Sequence, residues 1–362
     1  MTQPLHLTGT IVVGDGAELD EVWVVDGRLT LDPPAAPART IEGWVLPGLV
    51  DVHCHIGLGP HGAVSPAQAE AQARADRDAG TLLVRDAGSP LDTRWVQSRP
   101  DLPRLVRAGR HLARPKRYLR HFGRELDDVS QLPQAMAQEA ADGDGWVKIV
   151  ADWIDRSAGV DADLRPLWPA DVLAEGVAAA HEAGARVTAH TFSREAVDDL
   201  LDAGVDGIEH GTGMTADHMA EAARRGIPVT PTLLQVGNFA AIADQAGDRY
   251  PVYAARMRAM HERRYEQVRA FHEAGVPLLM GSDAGGTITH GTLPAELAEV
   301  VRAGVPAADA VAAASWRARQ FLGVPGVAEG ASADVVVYDA DPREDVAVLA
   351  RPTAVILRGE VC

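Results

Sequence analysis

Two histidines stand two apart in the run VDVHCHI, as His53 and His55. If that run is a strand, period-two alternation puts both imidazoles on one face and Cys54 on the other. Two imidazoles on one strand face form a chelate for zinc or a similar divalent ion. Taken alone, such a pair also reads as two surface histidines. His190 and His210 add to it, because each closes an apolar run, in ARVTAH and VDGIEH. One such residue could be a satisfied core histidine; four at three strand ends are hard to account for that way. Asp283 follows the apolar run in LLMGSDAGG. A carboxylate there costs desolvation energy unless it has a partner, and a cation is a ready one. A helix cap, or a loop aspartate in a Gly-rich turn, is the plainer alternative.

Lys148 lies between valine and isoleucine in GWVKIVAD. Of 34 lysines and arginines in the chain, only Lys116 and Lys148 are lysine. Arginine serves wherever a generic cation will do, so a lysine inside an apolar strand needs its own explanation. A bare ammonium there would pair with a carboxylate, Asp152 or Asp86, or lose its proton. A neutral lysine amine can also combine with CO₂ to form a carbamate, whose two oxygens can bridge two metal ions.

These residues need elements to hold them. From Ser65 onward, alanine-rich amphipathic helices end in an Ala-Gly or Arg-Gly pair and a short β-rich run follows. Gly80, Gly184, Gly204, Gly226 and Gly275 suit the left-handed position just past a helix. Helices alternating with short apolar strands predict a parallel sheet. Strands are expected near 45–53, 81–86, 104–109, 146–151, 186–190, 206–210, 227–231 and 277–282. The fold class is therefore α/β, and eight such strands point to a (β/α)8 TIM barrel, whose active sites lie at the C-terminal strand ends. An open doubly wound sheet would usually carry a Gly-rich phosphate loop after its first strand, where this chain has HCHIGLG. Residues 1–44 and 325–362 instead carry alternating strand signals and Asp-Gly turns. They are expected to pair into one small β-sandwich domain beside a barrel of residues 45–324. Segment 233–273 is too long for an ordinary connection; it is either an extended outer helix or a wall over the barrel mouth.

Composition narrows the partners. The 362 residues hold 46% hydrophobic and 23% charged side chains, ordinary globular values that leave little room for disorder. A formal net charge of −17 argues against nucleic acid or an anionic membrane as partner. The two cysteines, the absence of a signal-peptide pattern and the lack of any long apolar run fit a cytoplasmic protein. A homo-oligomer is left open.

The chain resembles the amidohydrolase superfamily, in its imidazolonepropionase-like and prolidase-like branch. The resemblance runs through VLPGLVDVHCHIG, TLLVRDAGS, GWVKIV, VTAHT, GIEHGT, IPVTPTL and GSDAGG to AEGASADVVVYDADP, nearly the whole chain. It implies a metal-dependent hydrolase with two divalent ions, zinc being expected. His53 and His55 would bind the more buried ion with Asp283, His190 and His210 the second, and Lys148, carboxylated on Nζ, would bridge both. A hydroxide between the ions would attack a carbonyl carbon, and Asp283 would carry its proton to the leaving nitrogen. Asp86 takes a supporting role behind the ligands. Many relatives carry a Gly-Gly-His-Gly-like element after the third strand, where this chain reads AGRHLARPKRYLRHFGRE. His121 is the best match for that histidine, with His111 next. Tyr118, Arg120 and His121 are the candidate substrate contacts. The same stretch is basic, with Arg107, Arg110, Arg114, Lys116, Arg117, Arg120 and Arg124. At a barrel mouth, an arginine there would bind a substrate carboxylate bidentately; a solvated or subunit-contacting loop is the alternative.

The expected reaction is cleavage of a C–N bond in a small amide, such as a dipeptide, N-acyl amino acid or cyclic amide. Imidazolonepropionase activity itself is disfavoured, because Lys148 implies a two-metal site. A lactone or ester hydrolase, a phosphoesterase, or a metal-dependent decarboxylase or isomerase could use the same core. A scaffold without turnover is disfavoured because all six metal positions are filled.

Overall fold

The structure is a computed structural model and describes residues 3–362. Leu49–Cys54, Thr81–Asp86 and Trp146–Val150 are buried at every position. Short apolar runs of this kind must be covered on both faces, which a parallel sheet flanked by helices provides. Leu49–Cys54 pairs parallel with Thr81–Asp86, and Thr81–Asp86 with Arg104–Arg107. Trp146–Val150 pairs parallel with Arg186–Thr191, then come Gly207–His210 and Val229–Thr230. Leu112 pairs with Ile149 on the other side of Trp146–Val150, within this second group. On the far side, Leu279 N donates to Val229 O at 3.1 Å and Val52 N donates to Met280 O at 3.0 Å. The last expected strand therefore bonds to neighbours on both sides, although only as isolated bridges at Leu278 and Ala284. Its irregularity has a steric cause. A Cβ on Gly281 would lie 2.5 Å from the Cβ of His53, so the chain passes the site at a distance only glycine allows.

The connecting helices stop where their glycines require. Arg194–Ala203 ends at Gly204 with φ 82°, and Ala216–Arg225 at Gly226 with φ 70°. Residues 45–47, expected in the first barrel strand, belong instead to Arg39–Pro47. Pro47 offers no N–H to continue a ladder, and the chain restarts at Leu49. Arg39–Pro47 sits in a seven-stranded sheet drawn from both chain ends. It lies between Leu5–Gly14, parallel to it, and Val335–Tyr338, antiparallel.

Segment 233–273 forms the helices Leu233–Gly237, Phe239–Ala246 and Pro251–Glu273. Both sequence expectations for it describe a part. Val268 and Phe271 near its end pack into the main core, as in an outer helix. Gln235, Asn238, Ile242, Tyr253 and Met257 wall a cavity over the strand ends. Glu296 ties its start down, accepting from Leu233 N at 2.6 Å and Leu234 N at 2.8 Å. Burial pushes the Glu296 carboxyl up to about 8. A group whose folded pKa exceeds its unfolded value binds protons more tightly in the folded state. Glu296 therefore lowers stability as pH rises from about 5 to about 8. Glu296→Gln is expected to flatten that part of the profile in denaturant melts; an unchanged slope would assign it to other groups.

No helix of the described residues is long and apolar enough to cross a membrane.

Candidate metal and catalytic site

The alternation of VDVHCHI turns His53 and His55 to one side, where their ring centroids lie 5.2 Å apart. Cys54 is buried on the other side, near Asp76 and His290. Asp76 accepts from Gly291 N at 2.7 Å and contacts His290 Nδ1 at 2.8 Å, fastening the loop after Asp283 to helix Pro66–Asp78.

Two acceptors fix the tautomers of the pair. His55 Nδ1 donates to the Gly88 carbonyl at 2.6 Å, and His53 Nδ1 faces Glu209 Oε2 at 2.8 Å. With the proton held on Nδ1, each neutral ring presents an Nε2 lone pair. Those atoms lie 3.2 and 3.1 Å from the same oxygen, Asp283 Oδ1. Two lone pairs and an anionic oxygen repel unless a cation or a shared proton lies among them. His53, His210 and Asp283 can each offer a ligand atom, all within 4.8 Å of one another. His210 Nδ1 meets Thr232 Oγ1 at 2.6 Å, and its Nε2 lies 2.9 Å from His190 Nδ1. His190 Nε2 and Lys148 Nζ are both buried and have no hydrogen-bond partner. The donor set thus fits divalent ions: imidazole nitrogens, one carboxylate and an unpartnered amine converge, and their orphaned atoms have nothing else to bind.

Electrostatics agree. Burial pushes the Lys148 amine down to about 8. Burial and the neighbouring His210 hold His190 well below the usual histidine range. Burial would raise the Glu209 carboxyl, but Arg85, Lys148 and His53 bring it well below the usual carboxylate range. His210 and Asp283 both have left-handed backbones, with φ 66° and 54°. Strained non-glycine residues of this kind gather at functional sites, where surrounding contacts hold them.

The structure sets His53 and His55 against Asp283 and His190 against His210, and buries Lys148 on the strand paired with that of His190. It does not give Lys148 either ion-pair partner weighed from sequence. Asp152 Oδ2 is taken up by Thr191 Oγ1 and Ser193 N, both at 2.7 Å. Asp86 Oδ1 accepts from Gly88 N at 2.9 Å, steadying the turn whose carbonyl orients His55. Tyr118, Arg120 and His121 line one cavity of about 800 Å³ with His55 and Asp283. His111 is buried beneath that loop, its ring centroid 5.1 Å from Tyr118 and 6.3 Å from His55.

Sequence reasoning missed Glu209 and Arg85. Arg85 donates to Glu209 at 2.5 Å and to Val52 O at 2.7 Å, and its guanidinium lies 4.5 Å over the Trp146 ring. Thr188 Oγ1 also donates to Glu209. The available signal was two opposite charges inside apolar strands, TLLVRD and GIEH. Strict alternation placed Glu209 on the face opposite His210; the left-handed turn at His210 breaks that alternation.

The Amidohydrolase family model matches residues 44–362. An uncharacterized protein of Mycobacterium tuberculosis is 53% identical over 340 residues, covering 94% of this chain and 91% of that protein. A Xaa-Pro dipeptidase with bound methionine has a TM-score of 0.82 at 23% identity, covering 99% of this chain and all of that one. Ochratoxinase of A. niger has a TM-score of 0.82 at 19% identity, covering 99% of this chain and 95% of that one. These likenesses carry the fold. Together, the match of the family model over most of the chain and the convergence of imidazoles, amine and carboxylate place this protein: it belongs to the amidohydrolase family and is a hydrolase.

Proposed function

We propose that this protein is a two-metal hydrolase that cleaves the C–N bond of a small amide at the mouth of a (β/α)8 barrel. The substrate would be a dipeptide, an N-acyl amino acid or a cyclic amide. The observation that carries the reading is the convergence of the His53 and His55 lone pairs on Asp283 Oδ1, beside two buried nitrogens without partners. Hydrogen bonds on both flanks of residues 277–284 support the closed barrel. Residues 1–44 and 325–362 would form the small β domain, and 45–324 the catalytic one. Free Cys54 and Cys362 suit a reducing cytoplasm.

His53, His55 and Asp283 would hold one ion, and His190 and His210 the other. Lys148 would also help hold the ions as a carbamate, formed when its neutral amine adds to CO₂ and releases a proton. Divalent ions here, zinc being expected, would supply an acidified water and polarise the scissile carbonyl. The chain's own residues do the rest. Glu209 and Gly88 keep protons on the Nδ1 atoms, so the Nε2 atoms stay free to bind. Asp283, which opens to the cavity, would take a proton from the attacking water and return it to the leaving nitrogen. Tyr118, Arg120 and His121 would orient the substrate, with Arg120 suited to a carboxylate. One structural neighbour is a prolidase complexed with N-methylphosphonate-L-proline, which agrees with amide chemistry.

Asp283→Asn is expected to cut kcat by about a hundredfold or more on any amide the parent accepts. A panel of dipeptides, N-acyl amino acids and lactones, each run on parent and variant, tests the reading. Lactone turnover without amide turnover would move the assignment to an ester hydrolase. CO₂ release without C–N cleavage would overturn hydrolysis.

A further inference from the structure

A second cavity, of about 970 Å³, adjoins the catalytic pocket. Tyr118, Leu119, Arg120, Arg156 and Tyr250 line both, so the two share a wall. Its lining runs against the composition of the chain. The whole sequence has 51 acidic residues against 34 basic ones. This cavity is lined by Arg114, Lys116, Arg117, Arg120, Arg156 and Arg249, against the single acid Asp155.

Asp155 neutralises only one of them, with Arg117 Nη1 2.6 Å from its Oδ1. Arg114 donates to a backbone carbonyl, that of Asp127, and Arg249 lies 5.1 Å over the Tyr250 ring. Among the described residues, none of Arg114, Lys116, Arg120, Arg156 and Arg249 has a carboxylate partner. Elsewhere exposed arginines pair readily, as Arg94 does with Asp92, Arg99 with Asp101 and Arg224 with Glu221. Five cations gathered without counter-charge repel one another, and carboxylates are plentiful in this chain. Lys116 even adopts a left-handed backbone there, with φ 62°. An arrangement of this kind suits an anion of several charges.

The neighbouring pocket has the opposite character. Trp153, Phe192, Tyr253 and Met257 give it an apolar wall, and Asp283 is the one acidic residue among those that line it. The Tyr118 ring, on the shared wall, lies 5.4 Å from the His190 ring of the metal site. The basic cavity therefore borders the pocket that holds Asp283, across a wall that touches the metal site.

We propose that the substrate carries a polyanionic group, a phosphate or more than one carboxylate, which docks in the basic vestibule while the amide lies in the adjoining pocket. The apolar wall then holds an aromatic or other apolar part on the far side. This inference rests on the reading of the pocket as the amide-cleaving site, and one arm of its test does not depend on that reading.

The first arm is binding to the metal-loaded full-length protein. The probe is pyrenetetrasulfonate, a fluorescent tetra-anion that does not chelate metals, followed by anisotropy. Arg156→Ala/Arg249→Ala is expected to weaken it at least about tenfold, Arg156→Lys/Arg249→Lys to retain most of the affinity, and added salt to weaken the parent. Equal binding by parent and alanine variant would overturn the vestibule. The second arm is turnover of benzoylglycinamide, benzoylglycine, benzoylaspartate and benzoylglutamylglutamate, which share an acyl group and rise in charge. kcat/KM is expected to rise at least about tenfold along the series and the rise to collapse in the alanine variant. A flat series, or dye binding that leaves amide turnover uninhibited, would overturn the link to substrate. Charge-dependent dye binding with none of the amides cleaved would uphold an anion vestibule and count against amide hydrolysis instead.

Discussion

Alanine in place of Lys148 is expected to cost on the order of a thousandfold in activity, about 4 kcal/mol of transition-state stabilisation, and to lower the metal content from about two ions per chain to about one. The reasoning begins with placement. Lys148 lies between Val147 and Ile149 in a strand buried at every position, and its Nζ has no partner. Neither carboxylate weighed from the sequence pairs with it: Asp152 is occupied by Thr191 and Ser193, and Asp86 turns its Oδ1 to Gly88 N. Burial pushes the amine down to about 8, so a neutral, nucleophilic fraction is present near neutral pH. Such an amine can become a carbamate, and its two oxygens can serve two ions. Alanine also leaves a void, so Lys148→Met, which fills the volume, separates chemistry from packing. Both variants should fold and both should lose the second ion. Propionate or another short carboxylate should restore part of the activity in the alanine variant alone. An unchanged metal count with activity intact would rule out the carbamate.

Glu209→Ala is expected to destabilise the metal-free protein by about 3–5 kcal/mol. It removes the one carboxylate that faces Arg85, His53 Nδ1 and Thr188 together, all of them buried. Arg85 would remain, fully buried against Trp146, without a counter-charge. Most of the loss comes from that stranded guanidinium rather than from the pair's own worth. Replacing both partners by apolar residues, as in Arg85→Met/Glu209→Leu, should therefore cost less than the single change. Denaturant melts in the presence of chelator measure this directly. Glu209→Gln keeps the shape and loses the charge. It should weaken metal binding by about 10- to 100-fold through His53, as read by competition with a chelator. If Glu209→Ala melts like the parent, the buried pair does not carry the stability assigned to it.

The site was legible in the sequence to the extent that it obeyed strand alternation. His53 and His55 share a face because they are two apart, and His190 and Asp283 could be placed because they end apolar runs. Glu209 was hidden by the same rule. It precedes His210 by one residue, and a regular strand would send it away from the site; the left-handed backbone at His210 changes where the strand end points. Such strain is tertiary in origin, and His210 has no local sequence signature for it. The parallel strands were legible from their apolar runs, while several boundaries shifted, two of them for evident local reasons. Pro47 ends one ladder before the strand Leu49–Cys54 begins, and Gly281 lets the last apolar run pass close to His53. The basic stretch 107–124 was visible as charge. That Arg114, Lys116, Arg117 and Arg120 meet Arg156 and Arg249 around one cavity depends on two distant segments, and no spacing in the sequence encodes it.

The most direct measurement of the two-metal account is the metal content of protein purified without chelator in CO₂-equilibrated buffer, determined together with amide hydrolysis during stepwise metal reconstitution of the stripped chain. About two divalent ions per chain are expected at full occupancy, with activity appearing only as the second ion binds. Full activity at one ion per chain would contradict the account.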